Sequence, residues 1–98
     1  MGDKVVHILK TVPTVWDAVA RGEKRFEVRR DDRFFQSGDI VRLRRLDPDG
    51  GYSSLPGGSR FSTRDLDFRI GWTLRGGQFG VEPGYVVFQL EPIGEAQA

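Results

Sequence analysis

The residues best equipped for chemistry lie in one short run, Gly22-Glu23-Lys24-Arg25-Phe26-Glu27-Val28-Arg29. Lys24 and Arg29 can hold a phosphate or a base edge, and Glu27 can accept a hydrogen bond from an exocyclic amine. A lysine partly desolvated beside another cation could also lose its proton and act as a base or nucleophile. Lys10 and Thr11, at the end of the first apolar run, are the natural companions of this group. The bland alternative is a Lys–Glu and Glu–Arg ion-pair network on the rim of a sheet.

Whether these residues meet depends on the elements that carry them. Lys4 to Lys10 reads as a first strand, because Val5, Val6, Ile8 and Leu9 favour extended backbone. His7 within it is expected to be a structural hydrogen-bonder. Pro13 suits the start of a helix, and Thr14 with Asp17 forms a candidate capping pair, with Thr11 as the rival cap. Val12, Val15, Trp16 and Val19 follow helical spacing and predict a core-facing stripe, with Asp17, Ala20 and Arg21 outward. A helix of about three turns then ends at Gly22, a residue suited to the left-handed terminator. From Phe26 to Arg29 the chain alternates, so Glu27 and Arg29 share one face of a strand and Phe26 and Val28 the other. Strand, helix and strand thus deliver Lys10, Thr11, Lys24, Glu27 and Arg29 to one mouth.

Beyond this unit, Arg30 to Arg33 is too charged to bury and reads as a loop, with Phe34 and Phe35 turning back to the core. Ile40 to Leu46 is the next strand, with Val41 and Leu43 on one face and Arg42 and Arg44 on the other. Asp47-Pro48-Asp49-Gly50-Gly51 is the strongest turn, and a further strand could start at Tyr52. Leu55 to Ser59 is a glycine-rich loop. Arg60 to Asp67 lacks a clear period and predicts an irregular or edge segment. Phe68 to Leu74 predicts a strand with Ile70, Trp72 and Leu74 on one face. The glycine loop from Arg75 to Gly80 and a turn at Gly84 lead to a last, central strand, Tyr85 to Leu90. A tail from 94 to 98 should fray. One domain spans 1–98. Its class is α+β, mainly β, with five or six short strands and one helix after the first, favouring a small closed or partly closed barrel.

Composition narrows the function classes. With no Cys and one His, an ordinary zinc site, a disulfide and a Cys nucleophile are excluded. The P-loop and the nucleophile elbow are absent from the sequence. No metal and no cofactor are expected. No run is apolar enough for a membrane span and no signal peptide is visible, so a cytoplasmic monomer is expected. Net charge is +1, but Lys and Arg crowd 21–45 among Glu23, Glu27, Asp31 and Asp32. That segment either meets phosphate or neutralises itself in ion pairs.

Three stretches, His7-Ile8-Leu9-Lys10-Thr11, Trp16-Asp17-Ala18-Val19 with Gly22 to Arg29, and Phe35-x-x-Gly38-Asp39, resemble the ASCH domain group. Gly76 to Gly80 and Gly84 to Val87 resemble a small phage and bacterial branch of that group without assigned function. The resemblance implies a PUA-like small mixed or antiparallel β-barrel, with a cleft between helix and barrel suited to RNA or a modified nucleoside. Some members hydrolyse an acylated cytosine nucleoside with Lys, Thr and Glu, and ribonuclease activity has been attributed to others. Lys24 aligns with that Lys, but Glu27 stands where the Thr would be, and no counterpart of the downstream Glu is visible. The expected function is therefore an RNA- or nucleotide-binding module. Its binding residues would be Lys10, Thr11, Lys24, Glu27, Arg29 and Arg33, with Tyr52, Trp72 or Phe79 as candidate stacking residues. The alternatives are a small hydrolase or ribonuclease using Lys24, Glu27 and Thr11, and a barrel that binds a protein partner.

Overall fold

The computed structural model describes residues 5–46 and 61–93. In chain order the elements are β1 (Val6–Thr11), α1 (Pro13–Ala20), β2 (Phe26–Arg30), β3 (Ile40–Leu46), β4 (Phe61–Arg75) and β5 (Tyr85–Pro92). The expected α+β class, mainly β with one helix after the first strand, is what the chain adopts. The expected turn at Asp47–Gly51, strand from Tyr52, loop at Leu55–Ser59 and frayed tail lie outside the described residues.

The five strands form one mixed sheet in the order β1-β3-β4-β5-β2, curled into a half-barrel. β1 runs parallel to β3, and the other three pairings are antiparallel. The last strand, highly apolar, does sit centrally, between β4 and β2. Inside the curl lie Leu9, Val41, Leu43, Ile70, Val86, Phe88 and Leu90 from the strands, Trp16 and Val19 from α1, and Phe35 from the loop before β3. The Phe35 ring packs against Phe88 and His7, with centroids 5.2 and 4.6 Å apart. His7 is structural as expected: it is buried and bonded to Asp39 at 2.9 Å.

α1 covers the open side of the curl and is pinned by two long-range contacts. Trp16 Nε1 donates to the Leu43 carbonyl at 2.9 Å, and Arg45 reaches Asp17 through two hydrogen bonds of 3.0 and 3.1 Å. Those contacts correct two expectations. The N-cap is Val12, with no side-chain cap, because Asp17 is committed to Arg45 rather than to the helix start. The helix is also shorter than expected, eight residues, because Pro13 fixes its start and Gly22 its end. Gly22 adopts φ 80°, and the amides of Gly22 and Glu23 close onto the carbonyls of Val19 and Ala18. Val12, at the head of the expected apolar stripe, is half exposed.

The longest strand overturns the expectation of an irregular 60–67 segment. Residues 61–67 belong to β4 and pair with β3. Arg44 stands opposite Asp65 and Arg42 opposite Asp67, each pair joined by two hydrogen bonds of 2.8–3.0 Å. Charged residues that look like loop in one dimension become cross-strand partners in two. A register shift between Ile70 and Thr73 then breaks the alternation. Ile70 stays buried while Trp72 turns outward, 66 % exposed, against the expectation that they share a face. Phe34 is likewise not a core residue: it lies in the left-handed region at φ 52° with its ring 80 % exposed, and Phe35 alone turns inward. Among the described residues no helix is long and apolar enough to cross a membrane.

Candidate functional site

Curling a five-stranded sheet leaves a gap between its edges, β1 and β2. Side chains close it. Arg29 Nη2 donates to the Lys10 carbonyl at 3.3 Å and to Thr11 Oγ1 at 3.4 Å. Arg33 Nη1 donates to the Ile8 carbonyl at 2.9 Å. The carbonyls of Ile8 and Lys10, two residues apart, lie on the strand edge that β3 does not use. Two guanidinium groups therefore do along this seam what a neighbouring strand would do elsewhere.

At the helix end of the seam the walls separate into a cavity of 340 Å³ lined by Lys10, Thr11, Val12, Val15, Lys24, Glu27, Val28 and Arg29. Five of the six expected binding residues meet here. Arg33 is the exception. It lines a smaller neighbouring hollow of 160 Å³ that shares only Arg29 with the first, because its guanidinium is spent on the β1 edge.

Glu27 is the centre of this arrangement and only 3 % exposed. It faces inward because β2 alternates, and Phe26 and Val28 accordingly face out, each about half exposed. Its Oε1 accepts from Arg29 Nε at 3.2 Å, and its Oε2 faces Lys24 Nζ at 3.4 Å. That second contact is an ion pair without hydrogen-bond geometry, so Oε2 is buried with no hydrogen-bond partner. Lys24 is drawn elsewhere: its ammonium donates to the Phe26 carbonyl and lies 4.6 Å above the Phe26 ring. The Gly22 turn makes this possible by releasing the chain from α1 two residues before Lys24. Thr11 is buried, and its hydroxyl donates to the Leu9 carbonyl at 3.0 Å.

The cavity thus presents three cations, Lys10, Lys24 and Arg29, around one carboxylate whose Oε2 has no hydrogen-bond donor. An unmet acceptor in low dielectric is costly, of the order of 1–3 kcal/mol, and a ligand that donates to it removes that cost. Four other arginines of the basic segment are spent on internal ion pairs. Arg21 binds Glu23, Arg42 binds Asp67, Arg44 binds Asp65 and Arg45 binds Asp17. The hydrogen bond from Arg45 holds Asp17 below the ordinary carboxylate range, and Arg42 does the same for Asp67. The neutralised face and the cleft are therefore distinct parts of one basic stretch.

Neither of the candidate stacking residues that the structure describes lines this cleft. Trp72 faces out from β4, Phe79 sits 85 % exposed in the glycine loop, and Tyr52 lies outside the described residues. The sequence reading missed Val12, Val15 and Val28, which give the cleft an apolar wall. Their signal was position in the chain: Val12 and Val15 come shortly after Thr11, and Val28 lies between Glu27 and Arg29.

A family model described as "Domain of unknown function (DUF3850)" matches residues 6–90. The chain belongs to the DUF3850 family. The match takes in β1 to β4, β5 as far as Leu90, and every residue of the cleft. No curated protein matches the chain. For this DUF3850 member, then, the chemistry of the cleft itself is the guide to function.

Proposed function

We propose that this protein is a binding module for RNA or a modified nucleotide, and that the Glu27 cleft is where the ligand enters. The observation that carries the reading is the buried, hydrogen-bond-free Glu27 Oε2 among three cations. A nucleotide supplies both complements at once: a base amine for the carboxylate and a phosphate for Lys10, Lys24 and Arg29. The volume falls within the ~300–1,000 Å³ usual for small-ligand pockets, and the valines offer a face for a base ring. This agrees with the cleft that the resemblance to ASCH domains, with their PUA-like barrels, implies.

Binding is favoured over hydrolysis on two grounds. The Lys24 ammonium is already a donor to the Phe26 carbonyl and the neighbour of a carboxylate, an arrangement that suits a cation. The Thr11 hydroxyl is buried and gives its proton to its own strand, so it has no base to activate it.

Fluorescence titration with short single-stranded and duplex RNA and DNA at two salt concentrations tests the proposal. Binding should weaken with salt. Lys24→Ala should reduce affinity about tenfold or more, as expected for a charge-assisted contact of ~1.5–3 kcal/mol. Absence of binding at low salt, or affinity indifferent to Lys24→Ala, refutes it.

A further inference from the structure

The chain from Gly22 to Arg25 is a ridge with a hollow on each side. One hollow is the Glu27 cleft. The other, of 550 Å³, lies between the end of α1 and the β4–β5 rim, and Lys24 lines both. The second hollow has an apolar floor from Val19, Phe68 and Leu90, with Arg25 and Gln89 at its edge. Backbone bonds fix the ridge between them, Lys24 N to the Ala18 carbonyl at 3.1 Å and Leu90 N to the Arg25 carbonyl at 3.0 Å.

Gln89 belongs to the outer face of β5, since Phe88 and Leu90 on either side of it turn inward, and its Oε1 accepts from the Trp72 backbone amide at 3.2 Å. Arg25 Nε is tied to the Gly22 carbonyl at 3.0 Å, which sets the guanidinium beside the turn. Glu91 also lines this hollow, but its carboxylate is turned over Gly71, where an added Cβ would lie 2.4 Å from Oε2. An apolar floor beside a guanidinium suits the ring and charge of a second nucleotide.

We propose that the two hollows are successive base subsites and that Lys24 holds the phosphodiester that spans the ridge. The ligand class is then a single strand of at least two nucleotides rather than a mononucleotide. This rests on the nucleotide-binding reading above and deepens it. A duplex cannot place adjacent bases in separate hollows without unstacking, so single strands are preferred.

The test compares cytidine and adenosine 5′-mononucleotides with the matching dinucleotides and tetranucleotides, by calorimetric titration at two salt concentrations. The dinucleotide should bind at least tenfold more tightly than the mononucleotide. Arg25→Ala should remove most of that gain while leaving mononucleotide affinity unchanged. Gln89→Ala on the outer face should leave the gain intact, and circular dichroism checks that both variants fold. Equal affinity for the two lengths overturns the two-subsite arrangement and leaves the parent reading standing. A gain that survives Arg25→Ala overturns it too. Failure of every length to bind overturns the parent reading, and this one with it.

Discussion

Arg29 is the residue whose removal should be felt most widely. Its guanidinium donates to Glu27 Oε1, the Lys10 carbonyl and Thr11 Oγ1 at 3.2, 3.3 and 3.4 Å. Arg29→Met keeps the stem and removes all three contacts. Glu27 would then be a buried carboxylate left with the Lys24 ion pair, at 3.4 Å and without hydrogen-bond geometry. Breaking a fully buried pair costs about 3–5 kcal/mol. The Arg29 side chain is 26 % exposed, so water reaches the site, and Lys24 stays in place. A loss of roughly 2 kcal/mol follows, or a fall in Tm of roughly 8–16 °C for a domain of this size. Glu27→Gln alone should cost about 1 kcal/mol, since it leaves two cations facing a neutral amide. The pair should not add: in the double variant the orphaned charge is gone, so the total should fall short of the sum by about 1 kcal/mol. Urea unfolding followed by tryptophan fluorescence, repeated for the two single variants and the double, gives this coupling directly. Additivity within ~0.5 kcal/mol would show that Arg29 and Glu27 do not act as a unit.

Two further outcomes follow from the fold. The hydrogen bond from Arg42 lowers the pKa of Asp67, with partial burial opposing it, so the native state binds fewer protons than the unfolded chain at mildly acid pH. The Asp67 contribution should be complete above pH ~4 and lost as pH falls through the lowered native value. Wild type and Asp67→Asn should therefore differ in urea midpoint at pH 6 and converge at the acid end; a pH-independent difference would contradict this. Glycine should matter unequally. A Cβ on Gly76 would sit 1.9 Å from the Glu82 carbonyl oxygen, so Gly76→Ala must displace the loop and should cost several times the ~1 kcal/mol expected for Gly22→Ala, where space is open and only the positive φ objects. Equal thermal shifts for the two variants would be the contrary result.

Much of this was legible in the chain because it is local. Helical spacing from Val15 to Val19, the Gly22 stop and the β2 alternation are properties of neighbours, and together they bring Lys10, Thr11, Lys24, Glu27 and Arg29 to one place. What was hidden depends on partners far away in sequence. Arg64, Asp65 and Asp67 looked like loop until β3 supplied Arg42 and Arg44 in register. Asp17 looked like a helix cap because Arg45 is 28 residues away. Trp72 changed faces at a register shift that no alternation pattern announces. Arg33 looked like one more ligand cation because an unpaired strand edge in need of donors has no sequence signature. Glu27 was the subtlest case. The usual sorting would bury Phe26 and Val28 and expose the charges, yet β2 is an edge strand beside a cleft, and there its inner face looks into a polar hollow.

The guanidinium seam also bears on how the protein behaves in a crowd. Strand β1 is an edge whose outer face carries half-exposed Val6 and Ile8, a composition that invites another strand to add on. By occupying the Ile8 and Lys10 carbonyls, Arg33 and Arg29 deny an incoming chain the acceptors it would need for a ladder. They also place positive charge along the approach, so two copies repel where they would otherwise zip together. Arg29 therefore guards the edge and lines the cleft at once, and a phosphate of the proposed ligand, by recruiting it, would loosen one of the two stitches along that edge.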